Sequence, residues 1–441
     1  MSVTSDILAP PKPAPARVEG LFWPVVDMGL LFLVILASAD AFVHLGKGQS
    51  LIWLLCYAVT LMRVTMLWQP VFEMLMRNRV ILIYPAACLA SVLWSHTPTG
   101  SLSGAIQLCM TFLIAAFLGW RYSLMTITKA LGVILIIAML LSLVHWATGV
   151  FPWRVYSRAG GLLGVFSHKN MLGQRALFCV IAIIAILLMP SARASGQVKL
   201  YVAGGMIATV LALFLSRSMT SVLLLFPLFG MMMLLCRSHL PSTFFVVACT
   251  VVLIAVALGP IMLSLNGIDL VATILGAVGK DATLTGRTEL WHVAMEVSRD
   301  HPLFGVGYGS FWQAPEFAYE RLLTQHAGAE TSVSFHNFVL EILVGTGWPG
   351  VIGILAFVAA SFMRLWRHHR VTGSVASACG LVFWVAVILT SLLGPSFYRG
   401  HEFMFVVMVM YFVSAQEDLI LVADARPKGA VAAVTAYSQD I

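Results

Sequence analysis

Charged side chains are scarce in this sequence. Only 10% of its 441 residues are Asp, Glu, Lys or Arg, against 60% that are hydrophobic. A water-solvated globule carries about a quarter charged residues, so an ordinary soluble domain is excluded and lipid becomes the main solvent. The seven cysteines show no CxxC spacing and fall inside or at the ends of apolar runs. They therefore read as small buried hydrophobes, not as a disulfide framework. Metal-ligand patterns are missing too: no HxxxH occurs, His168, His301 and His336 are widely separated, and no carboxylate-rich cluster accompanies them. No metal or other cofactor is expected. The first 20 residues are rich in Pro and Ala and lack an apolar centre, which suits a disordered cytoplasmic tail and not a signal peptide. A net charge of +7 would suggest nucleic acid as partner of a soluble protein. Here the basic residues sit mainly in short loops between apolar runs, where membrane topology accounts for them and no nucleic-acid partner is needed.

What is present is a succession of long apolar runs. A bilayer core takes about 20 apolar residues per helix, and on that measure the sequence predicts an all-α, polytopic membrane protein of about twelve spans. They fall near 21–44, 50–68, 79–95, 101–120, 126–149, 170–190, 198–215, 219–236, 243–263, 336–363, 375–393 and 401–421. An even count puts both termini on one side. Each connection on that side carries a cation, among them Arg77, Arg121, Arg193, Arg237 and Arg364, as cytoplasmic loops do. The expected organisation is a tail at 1–20, spans one to nine over 21–263, a large outer loop at 264–335, spans ten to twelve over 336–421, and a second tail at 422–441. Within the loop, Leu290, Trp291, Ala294 and Met295 recur at helical spacing and Pro302 marks a stop, so an amphipathic helix is expected there.

Topology does not ask for cations on the outer side, yet Arg154, Arg158, Lys169, Arg217, Arg287 and Arg399 fall there. Four constellations stand out, and Lys169, Arg217 and Arg287 fall within them. Gly160–Asn170 places His168, Lys169 and Asn170 at a helix start, where free N–H groups favour phosphate or sugar oxygens; a turn merely capped by polar residues is the competing reading. Arg175 follows inside the span, where an arginine is costly unless it faces a wet cavity or a partner. Ser216–Ser221 holds Arg217, whose guanidinium suits phosphate but equally suits a plain interfacial turn. The run Gly305, Gly307, Gly309 has no preceding strand, so it is weak evidence for a nucleotide and reads better as a compact loop over a cavity. His336 opens span ten with an imidazole suited to general-base work, while Asn337 and Glu341 share a helix face and read as holding that helix start. Asp27 and Asp40 in the first span are candidates for a proton path, which would fit a transporter.

Taken together, GRTELWHVAMEVSRDHPLFGVGYGSFW and SFHNFVLEILVGTGWPG resemble the signature of the O-antigen ligase and Wzy-type polysaccharide polymerase superfamily. GVFSHKNMLG and LSRSMTSVL are similar to its exopolysaccharide polymerase, ExoQ-like branch. The resemblance covers roughly 160–350 and implies a glycosyltransferase of the bacterial inner membrane, with cytoplasmic termini and a periplasmic site. Such enzymes move a glycan from undecaprenyl diphosphate to an acceptor sugar hydroxyl without a metal. Carried across, Arg217 and Arg287 match arginines that hold the donor diphosphate, and His336 matches the histidine that activates the acceptor. His168, Lys169, Asn170 and Arg175 take substrate-binding roles through the polymerase-branch motif, and charge placement adds Arg399. Membrane lipid and polysaccharide assembly proteins are the implied partners. A polymerase is the expected activity, with an O-antigen ligase acting on lipid A-core or protein as the alternative and a transporter or flippase as the second.

Overall fold

The computed structural model describes residues 22–158, 160–189, 196–236, 287–326, 334–392 and 399–424. These residues are helical apart from short 3-10 turns and one isolated bridge between Tyr156 and Leu162. The helices are α1 (Phe22–Ser38), α2 (Lys47–Met66), α3 (Trp68–Arg77), α4 (Val80–Ala90), α5 (Pro98–Arg121), α6 (Leu124–Thr148) and α7 (Lys169–Leu188). There follow α8 (Gly196–Leu215), α9 (Met219–Cys236), α10 (Arg287–Asp300), α11 (Ala318–His326), α12 (Phe338–Thr372), α13 (Val375–Leu392) and α14 (Phe403–Asp424). Among the described residues, eight helices are long and apolar enough to cross a membrane, or nine if the bent pair α3–α4 is one span. Helix α1 and the apolar part of α8 are shorter. The expected twelve thus become eight or nine by length, and the ninth expected span, 243–263, lies outside the described residues.

Two helices depart from the expected pattern. Between the second and third expected spans, where a plain connection was read, α3 forms and meets the next helix at 94°. Its exposed Trp68, Phe72 and Met76 recur every four residues, which makes it amphipathic. Helix α12 runs nine residues beyond its expected end and is broken at Gly347, whose φ of 64° leaves the helical region. A continuous helix would supply N–H donors from residues 348 and 349 to the carbonyls of Val344 and Gly345, but residue 349 is proline and has none.

The glycine run fills that break. The N–H of Val306 donates to the Val344 carbonyl at 2.8 Å, and that of Gly307 donates to Gly345 at 2.9 Å. The backbones approach so closely that a Cβ on Gly347 would sit 2.2 Å from the Leu303 carbonyl oxygen. The compact loop is therefore real; it plugs a broken helix, and none of its residues lines the described pocket.

At the opposite end of the bundle from the pocket, Asp27 is fully buried and bound twice by Arg63, at 2.9 Å for each contact, and once by Arg121, also at 2.9 Å. Trp23 lies against the Arg63 guanidinium at 4.8 Å. Nearby, Asp418 accepts from the N–H of Leu124, so the start of α1 and the later part of α14 gather at one end. A carboxylate so paired tethers α1, α2 and α5, and the proton-path reading of Asp27 with Asp40 gives way, since Asp40 lies at the other end. Removing one member of a buried ion pair typically costs about 3–5 kcal/mol. Asp27→Ala is expected to lower the apparent melting midpoint in detergent markedly, whereas Asp40→Ala should lower it far less.

Candidate active site

The pocket, of about 650 Å³, opens where helix ends converge. The C-terminal ends of α1 and α13 contribute Ser38 and Thr390. The starts of α7 and α9 contribute Asn170, Thr220 and Ser221, and the turns before α12 and α14 contribute His336 and Arg399–Glu402. Helix N-termini outnumber C-termini around it, and each carries a partial positive charge. Such a cavity favours an anion.

The backbone around it is strained. Among the described residues, the non-glycine positions with positive φ are Asp40 (75°), Arg217 (51°), His336 (53°) and His401 (65°). Three line the pocket and Arg217 adjoins Ser218, which does. A left-handed residue with a side chain costs about 1 kcal/mol or more. Strain gathered in this way is a mark of functional sites.

Arg175 is the most deeply placed cation. It is fully buried and lines the pocket. Its Nε donates to the Ala39 carbonyl at 3.4 Å, one terminal nitrogen donates to Gln174, and its guanidinium carbon lies 4.5 Å from the Phe403 ring centre. The other terminal nitrogen, Nη2, is buried without a hydrogen-bond partner among the described residues. A buried donor left unpaired is expensive, so this nitrogen is best satisfied by something bound in the pocket.

His336 stands on a turn fastened from both sides. Glu341 accepts from the Phe335 N–H at 2.8 Å and from the Trp312 indole, while Trp291 of α10 donates to the Phe335 carbonyl at 2.9 Å. Asn337 caps α12 by accepting from Val339 at 3.0 Å and Leu340 at 3.3 Å. Asn337 and Glu341 thus hold the helix start, each through its own partners.

His168 caps α7, its Nδ1 accepting from the Asn170 N–H at 3.1 Å. Partial burial and then the charge of Lys169 lower its pKa, which keeps it neutral and able to accept that bond. The capping alternative therefore describes the ring, while the residue still lines the pocket. The glycine run before it lies against the Ser216 turn. Leu162 donates to the Leu215 carbonyl at 2.9 Å, and a Cβ on Gly161 would stand 2.3 Å from the Ser216 oxygen. Close backbone contact thus joins two constellations about 50 residues apart in sequence.

Of the expected site residues, His336, His168, Asn170, Arg175 and Arg399 share the pocket. Lys169 is absent from its lining and packs beside Gly161. Arg217 is exposed on its turn, with a guanidinium nitrogen beside Gly160. Arg287 begins α10, one turn before Trp291, and its side chain lies outside the described residues.

Sequence reasoning missed His401 and Glu402 and gave Asp40 a different role. Arg399–Glu402 form one polar run between two apolar spans, so the argument that singled out Arg399 extends to its neighbours. His401 stacks on Trp53 at 4.0 Å, bonds the Tyr57 hydroxyl, and donates its backbone N–H to Thr111 at 2.8 Å. Burial pushes its pKa down to about 4. An unfolded histidine titrates near 6.5, so the unfolded chain binds the proton first as pH falls. The stability tied to His401 is whole above about pH 6.5 and is lost on the way down to about 4. His401→Gln is expected to flatten that decline, read from melting midpoints between pH 7.5 and 4.5.

The folded chain is an all-α bundle of apolar helices with a polar, cation-bearing pocket at one end, the architecture of a polytopic membrane protein. Residues 204–355 match the family described as O-Antigen ligase. The chain is also 31% identical over 293 residues to the "Exopolysaccharide production protein ExoQ" of Rhizobium meliloti (strain 1021), covering 64% of this chain. It spans 63% of that relative's length. The family region takes in the Arg217 turn, Arg287 and His336, and the resemblance drawn from the motifs, including its ExoQ-like branch, is borne out.

Proposed function

We propose that this protein is a membrane glycosyltransferase that moves a glycan from undecaprenyl diphosphate to an acceptor sugar hydroxyl, most naturally as an exopolysaccharide or O-antigen polymerase. The observation that carries the reading is the buried guanidinium of Arg175, with one nitrogen lacking a partner, in the same pocket as His336. In this reading Arg175 and Arg399 bind the diphosphate, supported by the surrounding helix N-termini. Arg217 stands at the rim, Arg287 at the start of α10 takes the diphosphate-binding role that the family resemblance implies, and His168 and Asn170 line the same anion site, with Lys169 behind them.

The acceptor oxygen forms its bond to the anomeric carbon as the carbon–oxygen bond to diphosphate breaks. The bonding pair leaves on the diphosphate, where arginine charge stabilises it, and the hydroxyl proton passes to the imidazole of His336. Direct displacement implies inversion at that carbon. The bundle belongs in the bacterial inner membrane, termini cytoplasmic and pocket periplasmic, consistent with the cation-bearing loops at the other end. No metal is assigned a role, and polysaccharide assembly proteins are its natural neighbours.

Purified protein incubated with the lipid-linked repeat unit alone provides the test. Chain growth establishes the polymerase. Growth only when lipid A-core or a protein acceptor is added establishes the ligase. If no glycan product forms under either condition while a labelled solute crosses vesicles, the protein is a transporter and the enzymatic reading fails.

A further inference from the structure

Two carboxylates stand in a pocket otherwise suited to an anion. Asp40 and Glu402 both line it, and both act electrostatically on Arg175. Their formal charges balance those of Arg175 and Arg399. A carboxylate repels phosphate and weakens its binding, so neither is explained by the donor diphosphate. What a carboxylate does accept is hydrogen bonds, with about four lone-pair positions available.

Asp40 is held in place to do so. It sits at φ 75° in the turn between α1 and α2, and its Oδ2 accepts from the Ser167 hydroxyl at the start of α7. Gln49, at the start of α2, lines the same pocket with an amide that both donates and accepts. Glu402 immediately follows His401, whose ring stacking and backbone hydrogen bond fix that turn. An independent observation points to a ligand here: Arg175 lines this cavity, and its fully buried Nη2 has no hydrogen-bond partner among the described residues.

We propose that Asp40, Glu402 and Gln49 form the acceptor subsite, binding the hydroxyls of an uncharged sugar face while the arginines take the diphosphate. The assignment rests on the transferase reading above and adds the chemistry of its second substrate. It also explains why the pocket's formal charges balance: one substrate brings a dianion, the other a set of hydroxyl donors.

The test measures binding apart from turnover. Two probes are used with the full-length protein in detergent: undecaprenyl diphosphate, and the repeat-unit oligosaccharide released by mild acid from the host strain's lipid-linked intermediate. Asp40→Asn and Glu402→Gln keep volume and remove charge, and Gln49→Ala gives a third variant away from both charged positions. Losing a charge-assisted hydrogen bond should weaken oligosaccharide binding by about tenfold or more. Undecaprenyl diphosphate affinity should stay the same or rise in both charge-removing variants. Retained undecaprenyl diphosphate binding also shows that a variant is folded. Unchanged oligosaccharide binding in the folded variants, or a fall in undecaprenyl diphosphate affinity with oligosaccharide binding intact, overturns the assignment. Wild-type protein that binds both probes yet never joins glycans would instead sink the transferase reading and leave the subsite standing.

Discussion

Arg175→Ala is expected to reduce glycan transfer by about 10²–10³-fold, the loss typical when a preorganised donor to developing negative charge is removed. The guanidinium is buried to its tip, with one nitrogen on the Ala39 carbonyl, another on Gln174, and Phe403 against its face. Only Nη2 remains for a ligand, so the group is already oriented before substrate arrives. Arg175→Lys should fail nearly as badly. A lysine keeps the charge, but its single ammonium cannot reproduce the planar fork that reaches Ala39, Gln174 and a ligand at once. Transfer rate and undecaprenyl diphosphate affinity, measured on protein that retains its gel-filtration profile, check this. Affinity for the diphosphate lipid that survives Arg175→Ala would refute the assignment.

His336→Ala has the second large effect, and its signature differs. Loss of a positioned general base lowers turnover by about 10²–10⁴-fold. The donor diphosphate is held by other groups, so its affinity should change little. Turnover should fall while the donor KM holds. Glu341 acts behind His336, fixing its turn through the Phe335 N–H and the Trp312 indole. A parallel loss of donor affinity in His336→Ala would move the histidine from proton transfer to diphosphate binding.

Much of the architecture could be read in advance because lipid imposes a one-dimensional rule. Long apolar runs become helices, and their ends announce themselves by caps and breakers, as Asn337 and Pro302 do. The amphipathic helix was legible by the same periodicity, although its buried stripe is Leu290, Val293, Ala294 and Val297, with Met295 exposed. Helix α3 was not legible, because ten residues with a Pro, a Glu and an Arg look like a connection until the bend lays them across the bundle.

The site was half legible for a related reason. Cations where topology does not call for them stand out, and that contrast found His168, Asn170, Arg175 and Arg399 together with the family histidine. Asp40 and Glu402 carry no such contrast, since a carboxylate at a helix end is unremarkable. They matter only because turns from opposite ends of the sequence meet, and no local pattern encodes that meeting.

The seam between Gly305–Gly307 and the break in α12 joins main chain to main chain. Residues 303–307 leave the ribosome before α12 does, so the cover for its open carbonyls exists before they enter the bilayer. A chimera that imports a relative's 287–326 region without the matching 344–350 would leave those acceptors without their donors. Grafts between such proteins therefore have to be cut on either side of the pair, never between them.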